Sequence, residues 1–251
     1  MTVRYRATLA YDGSAYWGFQ RQAGDTPTVQ KAVEDALMGM AGRPVIVVGA
    51  GRTDTGVHAT GQVISFDLEG WSHGTKTLVK ALNAVLPPDI RVRDAAEAPG
   101  FHPRFDARSR RYRYVILRAD VPNPLLNGRA WMLTRPLDEA RLQAAAAMLV
   151  GTHDFATFGH PPQGDNTVRE VFHSAWAQRP DPWGEVFEYV VEATAFLHHQ
   201  VRRMVGMMAE VGMGRLSIDA FGERFRAADL RQANRAAPPQ GLILEAVRYR
   251  E

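Results

Sequence analysis

Val45-Ile46-Val47-Val48-Gly49-Ala50-Gly51-Arg52-Thr53-Asp54-Thr55-Gly56-Val57-His58-Ala59-Thr60-Gly61-Gln62-Val63-Ile64-Ser65-Phe66 carries two β-rich runs, residues 45–48 and 62–66, around a glycine-rich loop. A hairpin normally turns in two to five residues, so a connection of about a dozen points to function. Three glycines, at 49, 51 and 56, permit backbone shapes closed to other residues. Inside the loop stand one guanidinium, Arg52, and one carboxylate, Asp54. The plain alternative is a surface turn whose Asp caps the backbone and whose Arg is solvated.

Outward from this stretch the period of the apolar residues alternates between two and 3.6. Val3, Tyr5, Ala7, Leu9 and Tyr11 predict a half-buried strand. An aromatic- and amide-rich loop, residues 12–22, follows. Val29, Ala32, Val33, Ala36, Leu37 and Met40 then predict a helix capped by Thr28. Residues 75–86 form a second helix, stopped by Pro87-Pro88, and Ile90 and Val92 open a further strand. The order is β-α-β-β-α-β, the ferredoxin-like split unit.

The same order recurs in the second half. Residues 111–118 read as a strand, and Asp138 caps a helix that carries Leu142, Ala145, Ala146 and Leu149. Residues 168–178 and 185–193 form a hairpin, 198–211 a helix, and 242–250 a closing strand. The expected architecture is α+β: two ferredoxin-like units, residues 1–105 and 106–251, joined into one broad, largely antiparallel sheet with a central active-site cleft. A helical insertion falls near 217–233.

Composition narrows the function classes. With 45% hydrophobic and 23% charged residues the 251-residue chain has the makeup of globular protein. No apolar run reaches membrane-spanning length, and the N-terminus goes straight into strand alternation without a signal-peptide core. Cysteine is absent, which excludes disulfides, thiolate zinc sites and cysteine nucleophiles. A cytoplasmic protein is expected. Lys occurs three times, so Arg supplies 27 of the 30 basic residues. Arg binds phosphate bidentately and stacks on bases, which suits an RNA partner; an Arg-favouring genome gives the same composition.

Three stretches are candidates to line the cleft. One is the Asp54 loop. Another, residues 101–114, interleaves aromatic residues with Arg, including Arg111 and Tyr112, as base stacking with phosphate neutralisation requires. The third, residues 196–206, places Arg202 near the start of an apolar helix, where it needs an anionic partner. No metal is expected: His198 and His199 are adjacent and share no helix face. Asp54-Thr55-Gly56 also spells the aspartic-protease triplet, whose chemistry needs two carboxylates sharing a proton. The triplet occurs once, so a protease would have to be a dimer. A non-catalytic RNA-binding module is a further alternative, although no RNP1-type run is present.

Gly51-Arg52-Thr53-Asp54…Gly56-Val57-His58-Ala59, Tyr11-Asp12-Gly13…Gly18…Gln20-Arg21-Gln22, Phe101-His102…Arg104-Phe105, Arg111-Tyr112-Arg113-Tyr114, Phe196…His198-His199…Val201-Arg202 and Gly241-Leu242 together resemble the A-type tRNA pseudouridine synthases. The blocks stand in family order and span about residues 4–248. The resemblance implies isomerisation of uridine to pseudouridine at positions 38, 39 and 40 of the tRNA anticodon stem-loop, by a homodimer without cofactor or metal. It implies that Asp54 acts as nucleophile or base at the ribose or uracil. Tyr112 would stack on the uracil and assist at C5, and Arg202 would pair with Asp54. Arg52 would enter the stem as the base flips out, Leu242 would lie under the base, and Arg21 and Arg111 would join in binding substrate. The sequence departs from the family pattern at Phe19, Thr55, Pro103 and Asp106.

Overall fold

The structure is a computed structural model that describes residues 1–233 and 235–250. The chain divides into two units, Met1–Arg108 with Ile243–Glu251, and Ser109–Leu242. The join therefore lies at Arg108/Ser109, and the closing strand, expected with residues 106–251, is counted with the first unit.

The first unit runs β1 (Thr2–Tyr11), α1 (Val29–Ala41), β2 (Val48–Gly49), β3 (His58–Glu69), α2 (Gly74–Val85) and β4 (Ile90–Glu97). Its strands are ordered β4-β1-β3, and β2 pairs antiparallel with β3 beyond them, the order of a split β-α-β unit. The alternation in β1 turns Tyr5, Ala7, Leu9 and Tyr11 inward, where they are buried with Ile64 and Phe66 of β3 and Ile90 and Val92 of β4. Val33 and Leu37 of α1 and Leu78 and Leu82 of α2 are likewise buried. Thr28 caps α1 by accepting from the Lys31 N–H, and Gly42, at φ 69°, ends it in the left-handed region.

The strand expected at 45–48 is a ladder only at Val48 and Gly49. Val47 donates its N–H to Glu34 Oε1 at 3.1 Å and accepts from Gln30 Nε2 at 2.9 Å. Two helix side chains thus take the backbone groups that a sheet neighbour would otherwise satisfy. β3 begins at His58, earlier than expected, so the functional loop shortens to residues 50–57.

The second unit holds all but the first two residues of β5 (Ala107–Arg118), then β6 (Trp131–Leu133), α3 (Glu139–Ala147), β7 (Gly151–Asp154), β8 (Val168–Asp181), β9 (Gly184–Ala193), α4 (Gln200–Gly212) and α5 (Ile218–Arg226). Strands β5, β9, β8 and β7 neighbour one another in that order, all antiparallel, and the short β6 runs parallel to β5. Asp138 caps α3 by accepting from the Arg141 N–H. The insertion near 217–233 is α5 followed by a short 3-10 turn, Leu230–Ala233. Phe221 and Phe225 of α5 pack on Phe155 and Phe158, with ring centroids 5.2–6.5 Å apart, and so close the unit's core. The last strand, β10 (Leu242–Tyr249), runs parallel to β3 through Ile243↔His58 and Leu244↔Ala59.

Candidate active site

The Asp54 loop is held from both flanks by buried polar groups. On one side of Arg52, Gln62 Nε2 donates to the Gly51 carbonyl at 2.8 Å. On the other, the Tyr11 hydroxyl and Thr53 Oγ1 share a hydrogen bond of 2.8 Å. Burial pushes the Tyr11 phenol up to about 12, against the opposing hydrogen bonds to Thr53 and Gln62, so it remains a neutral hydroxyl. Removing one partner of such a buried bond strands the other at a cost of about 1–3 kcal/mol. The loop then turns: Val57 N–H donates to the Asp54 carbonyl at 3.1 Å, and Gly56 supplies φ 77°.

Residues 12–22 press against this loop backbone to backbone. Phe19 N–H donates to the Thr53 carbonyl at 3.0 Å. Gly18 has φ 90°, and a β-carbon there would stand 2.7 Å from the Thr53 carbonyl oxygen. One at Gly13 would overlap the Val57 carbonyl. Gly13 also donates its N–H to His58 Nδ1 at 3.0 Å. Asp12 Oδ1, 3.1 Å from the same nitrogen, already accepts from Ser14 N and Oγ. The two glycines let one loop clamp the other on both sides of Asp54, which stays partly exposed.

Arg52 and Arg21 are tied to one network in this unit. Arg52 is exposed and donates Nε–H to Gln20 Oε1 at 3.2 Å. Gln20 donates to Gln30 Oε1 at 2.6 Å, which also accepts the Arg21 N–H at 2.8 Å. Arg21 Nη1 meets Glu34 Oε2 at 2.7 Å, and that hydrogen bond raises the guanidinium's pKa. Gln30 thus uses both lone pairs and both amide protons, since its Nε2 bonds Glu34 and Val47.

In the second unit Tyr112 lies on β5 opposite Val191, 8% exposed, its ring edge-on to Phe196 at 5.2 Å. Tyr114, two residues on, is fully buried and donates its hydroxyl to the Pro238 carbonyl at 2.7 Å, as a packing residue. Arg111 and Arg113 point to the opposite face, where each meets a carboxylate of β9: Glu192 at 3.5 Å and Glu188 at 3.2 Å. The Arg side of this strand is therefore ion-paired within its own sheet. Arg202 on α4 and Ala237 bond reciprocally at 2.8 Å, Arg202 Nε–H to the Ala237 carbonyl and Ala237 N–H to the Arg202 carbonyl. Gly206 lets α4 approach this segment, since a β-carbon there would overlap the Arg235 carbonyl. Leu242, 5% exposed, follows after the 3-10 turn Pro239–Gly241.

His198 and His199 are not helical. His199 precedes α4 with φ 62°, and the two rings stack at 3.7 Å. The premise that helix geometry separates them is thus corrected, because the left-handed residue folds the pair together.

A family model described as "tRNA pseudouridine synthase" matches residues 7–106 and 145–250. The chain belongs to this tRNA pseudouridine synthase family. A relative from Rhodospirillum rubrum named "tRNA pseudouridine synthase A" is 44% identical over 98% of this chain and 88% of its own length. Relatives of the same name from Neisseria gonorrhoeae and Caulobacter sp. are 41% and 42% identical, each over 98% of this chain and over 92% and 98% of their own. Membership makes the chain an isomerase of tRNA modification, and the two fragments of the model match take in the Asp54 loop and α4. No helix among the described residues is long and apolar enough to cross a membrane.

In this pseudouridine synthase the reactive-loop candidate is legible in the sequence, whereas most of what holds it is not. Gln30 and Glu34 had a legible signal: two polar residues, four apart, inside the apolar stripe of α1 with Val29, Val33 and Leu37. Tyr11 and Gln62 had none, because their strands read as ordinary alternation. Phe19, one of the departures from the family pattern, is 1% exposed and binds the loop through its backbone, so an indole N–H is not needed for that bond.

Proposed function

We propose that the chain converts uridine to pseudouridine at positions 38, 39 and 40 of the tRNA anticodon stem-loop, with Asp54 as the reacting carboxylate. The bond from uracil N1 to the sugar breaks, C5 bonds to the same sugar carbon, C5 loses a proton and N1 gains one. Atoms and electrons balance within the nucleoside, so the reading requires neither metal nor cofactor. Asp54 acts at the ribose or at the ring. Tyr112, Arg202, Leu242, Arg21 and Arg111 keep the roles that the resemblance gives them. The reading includes a cytoplasmic homodimer, and sedimentation of the purified protein tests the dimer.

The observation that carries the proposal is the double glycine clamp on the Asp54 loop in a member of this family. Preorganised placement of a reacting group is worth orders of magnitude in rate. The test is incubation with unmodified tRNA transcript, followed by pseudouridine mapping across the anticodon arm. A protease or a plain binder leaves every uridine unchanged.

Two substitutions separate the roles. Tyr112→Phe keeps the ring face and loses the hydroxyl; turnover should fall about a hundredfold or more while tRNA affinity holds within about twofold. Wild-type turnover would leave Tyr112 as a stacking residue only. Arg52→Ala should slow reaction at a paired stem uridine about tenfold or more beyond its effect on an unpaired uridine, because extrusion costs a few kcal/mol. Equal losses on both substrates would remove the wedge role.

A further inference from the structure

Phe105 is 76% exposed, more than Trp17 at 60%, Trp183 at 46% or Phe172 at 43%. A single exposed apolar side chain needs no explanation by itself. This one is different because the turn beneath it is built to hold it still. Asp106 N–H donates to the His102 carbonyl at 3.1 Å, and Asp106 Oδ2 accepts the His102 N–H at 2.8 Å. His102 Nδ1 accepts the N–H groups of both Arg104 and Phe105 at 3.2 Å. The imidazole is thereby fixed, and it stacks on the Phe105 ring with centroids 4.2 Å apart and planes 29° from parallel.

The turn is also anchored from behind. Tyr249 of β10 donates its hydroxyl to the Pro103 carbonyl at 2.9 Å and meets Phe101 edge-on at 4.9 Å. The Arg6 guanidinium lies 5.7 Å over the Phe101 ring. Phe105 therefore presents an outward aromatic face, backed by a second ring, on a turn with little freedom left to lose. The Arg104 guanidinium lies over the same ring, 5.8 Å from its centroid, where a base entering the stack would meet both groups. An aromatic face beside a cation is the combination that accepts a nucleobase together with its phosphate.

We propose that Phe105, backed by His102 and with the Arg104 guanidinium over its ring, is a stacking platform for an unpaired nucleobase of the tRNA. The proposal rests on the tRNA reading above. Binding of an unmodified tRNA transcript to the full chain, at one fixed salt concentration, tests it. Phe105→Ala should raise Kd about five- to a hundredfold, the loss of one base–aromatic stack. Phe105→Trp should bind at least as tightly as wild type. Phe105→Leu, which keeps apolar area without a π face, should behave like Phe105→Ala.

Wild-type affinity for Phe105→Ala, or for Phe105→Leu, overturns the platform. Sedimentation of Phe105→Ala should match wild type; a shift to a smaller species would overturn the proposal by assigning this face to a second copy of the chain. Pseudouridine formation by wild type on the same transcript separates the two claims. If wild type turns over while Phe105→Ala binds normally, only the platform fails. If wild type neither binds nor modifies the transcript, the functional reading falls and the platform with it.

Discussion

Asp54→Asn should lower pseudouridine formation below about a thousandth of wild type while leaving tRNA affinity within about twofold. The substitution is nearly isosteric. The loop contacts that place residue 54 come from its neighbours: Thr53 through Tyr11 and Phe19, Gly51 through Gln62, and the backbone turn from Asp54 to Val57. None of these bonds uses the Asp54 carboxylate, so the backbone course of the loop should survive the substitution. An amide is a poor nucleophile and a poor base, and removing a group of either kind costs several orders of magnitude. Asp54→Glu should also fail, by about a hundredfold, because one methylene moves the oxygens by about 1 Å. Single-turnover mapping with filter-binding controls checks both. Asp67→Asn is the appropriate control, since Asp67 pairs with Arg4 where both are about 40% exposed, and such pairs contribute about 0–1 kcal/mol. Asp12 and Asp106 are poor controls, because each holds a turn. Turnover by Asp54→Asn above a trace of wild type would remove Asp54 from the chemistry.

Gly13→Ala should be nearly as damaging without touching a reacting group. The added β-carbon overlaps the Val57 carbonyl, and both atoms belong to backbone that no rotamer change can clear. Val57 in turn donates the bond that closes the turn at Asp54. Relief requires one loop to move by about 1 Å, which costs about a hundredfold in a positioned reaction and about 1–3 kcal/mol in overpacking. Gly39→Ala provides the contrast. Nothing lies within 4 Å of a β-carbon there, and Gly39 sits inside α1. That substitution should stabilise the protein by about 0.4–1 kcal/mol with activity unchanged. Thermal denaturation and kcat/KM measured together decide the matter. Wild-type kcat/KM in a folded Gly13→Ala would show that this clamp does not position Asp54.

The features that the sequence determined by itself are those whose causes are local. β1 was legible because its inward residues repeat every second position. The starts of α1 and α3 were legible because Thr28 and Asp138 cap through a hydrogen bond only three residues long. The blocks around Asp54 likewise carried the family, since loop chemistry is written in consecutive residues.

Tertiary structure decided everything that depends on a partner far along the chain. Residues 45–47 have strand composition, yet Val47 leaves the ladder because Gln30 and Glu34, 17 and 13 residues away, take its backbone groups. Tyr112 and Tyr114 share one face of β5, but only the structure shows Tyr114 spending its hydroxyl on Pro238, 124 residues on. The sequence offers Arg111 as a phosphate-neutralising residue, and only the β5–β9 register places Glu192 opposite it. Gly13 and Gly18 stand in a loop whose sequence does not explain them, and what makes them glycine is the backbone of residues 53–57 lying against them. Periodicity records which side of an element is buried. It carries no record of what that side is buried against, because register and loop contact are set by distant residues at the moment the chain closes on itself.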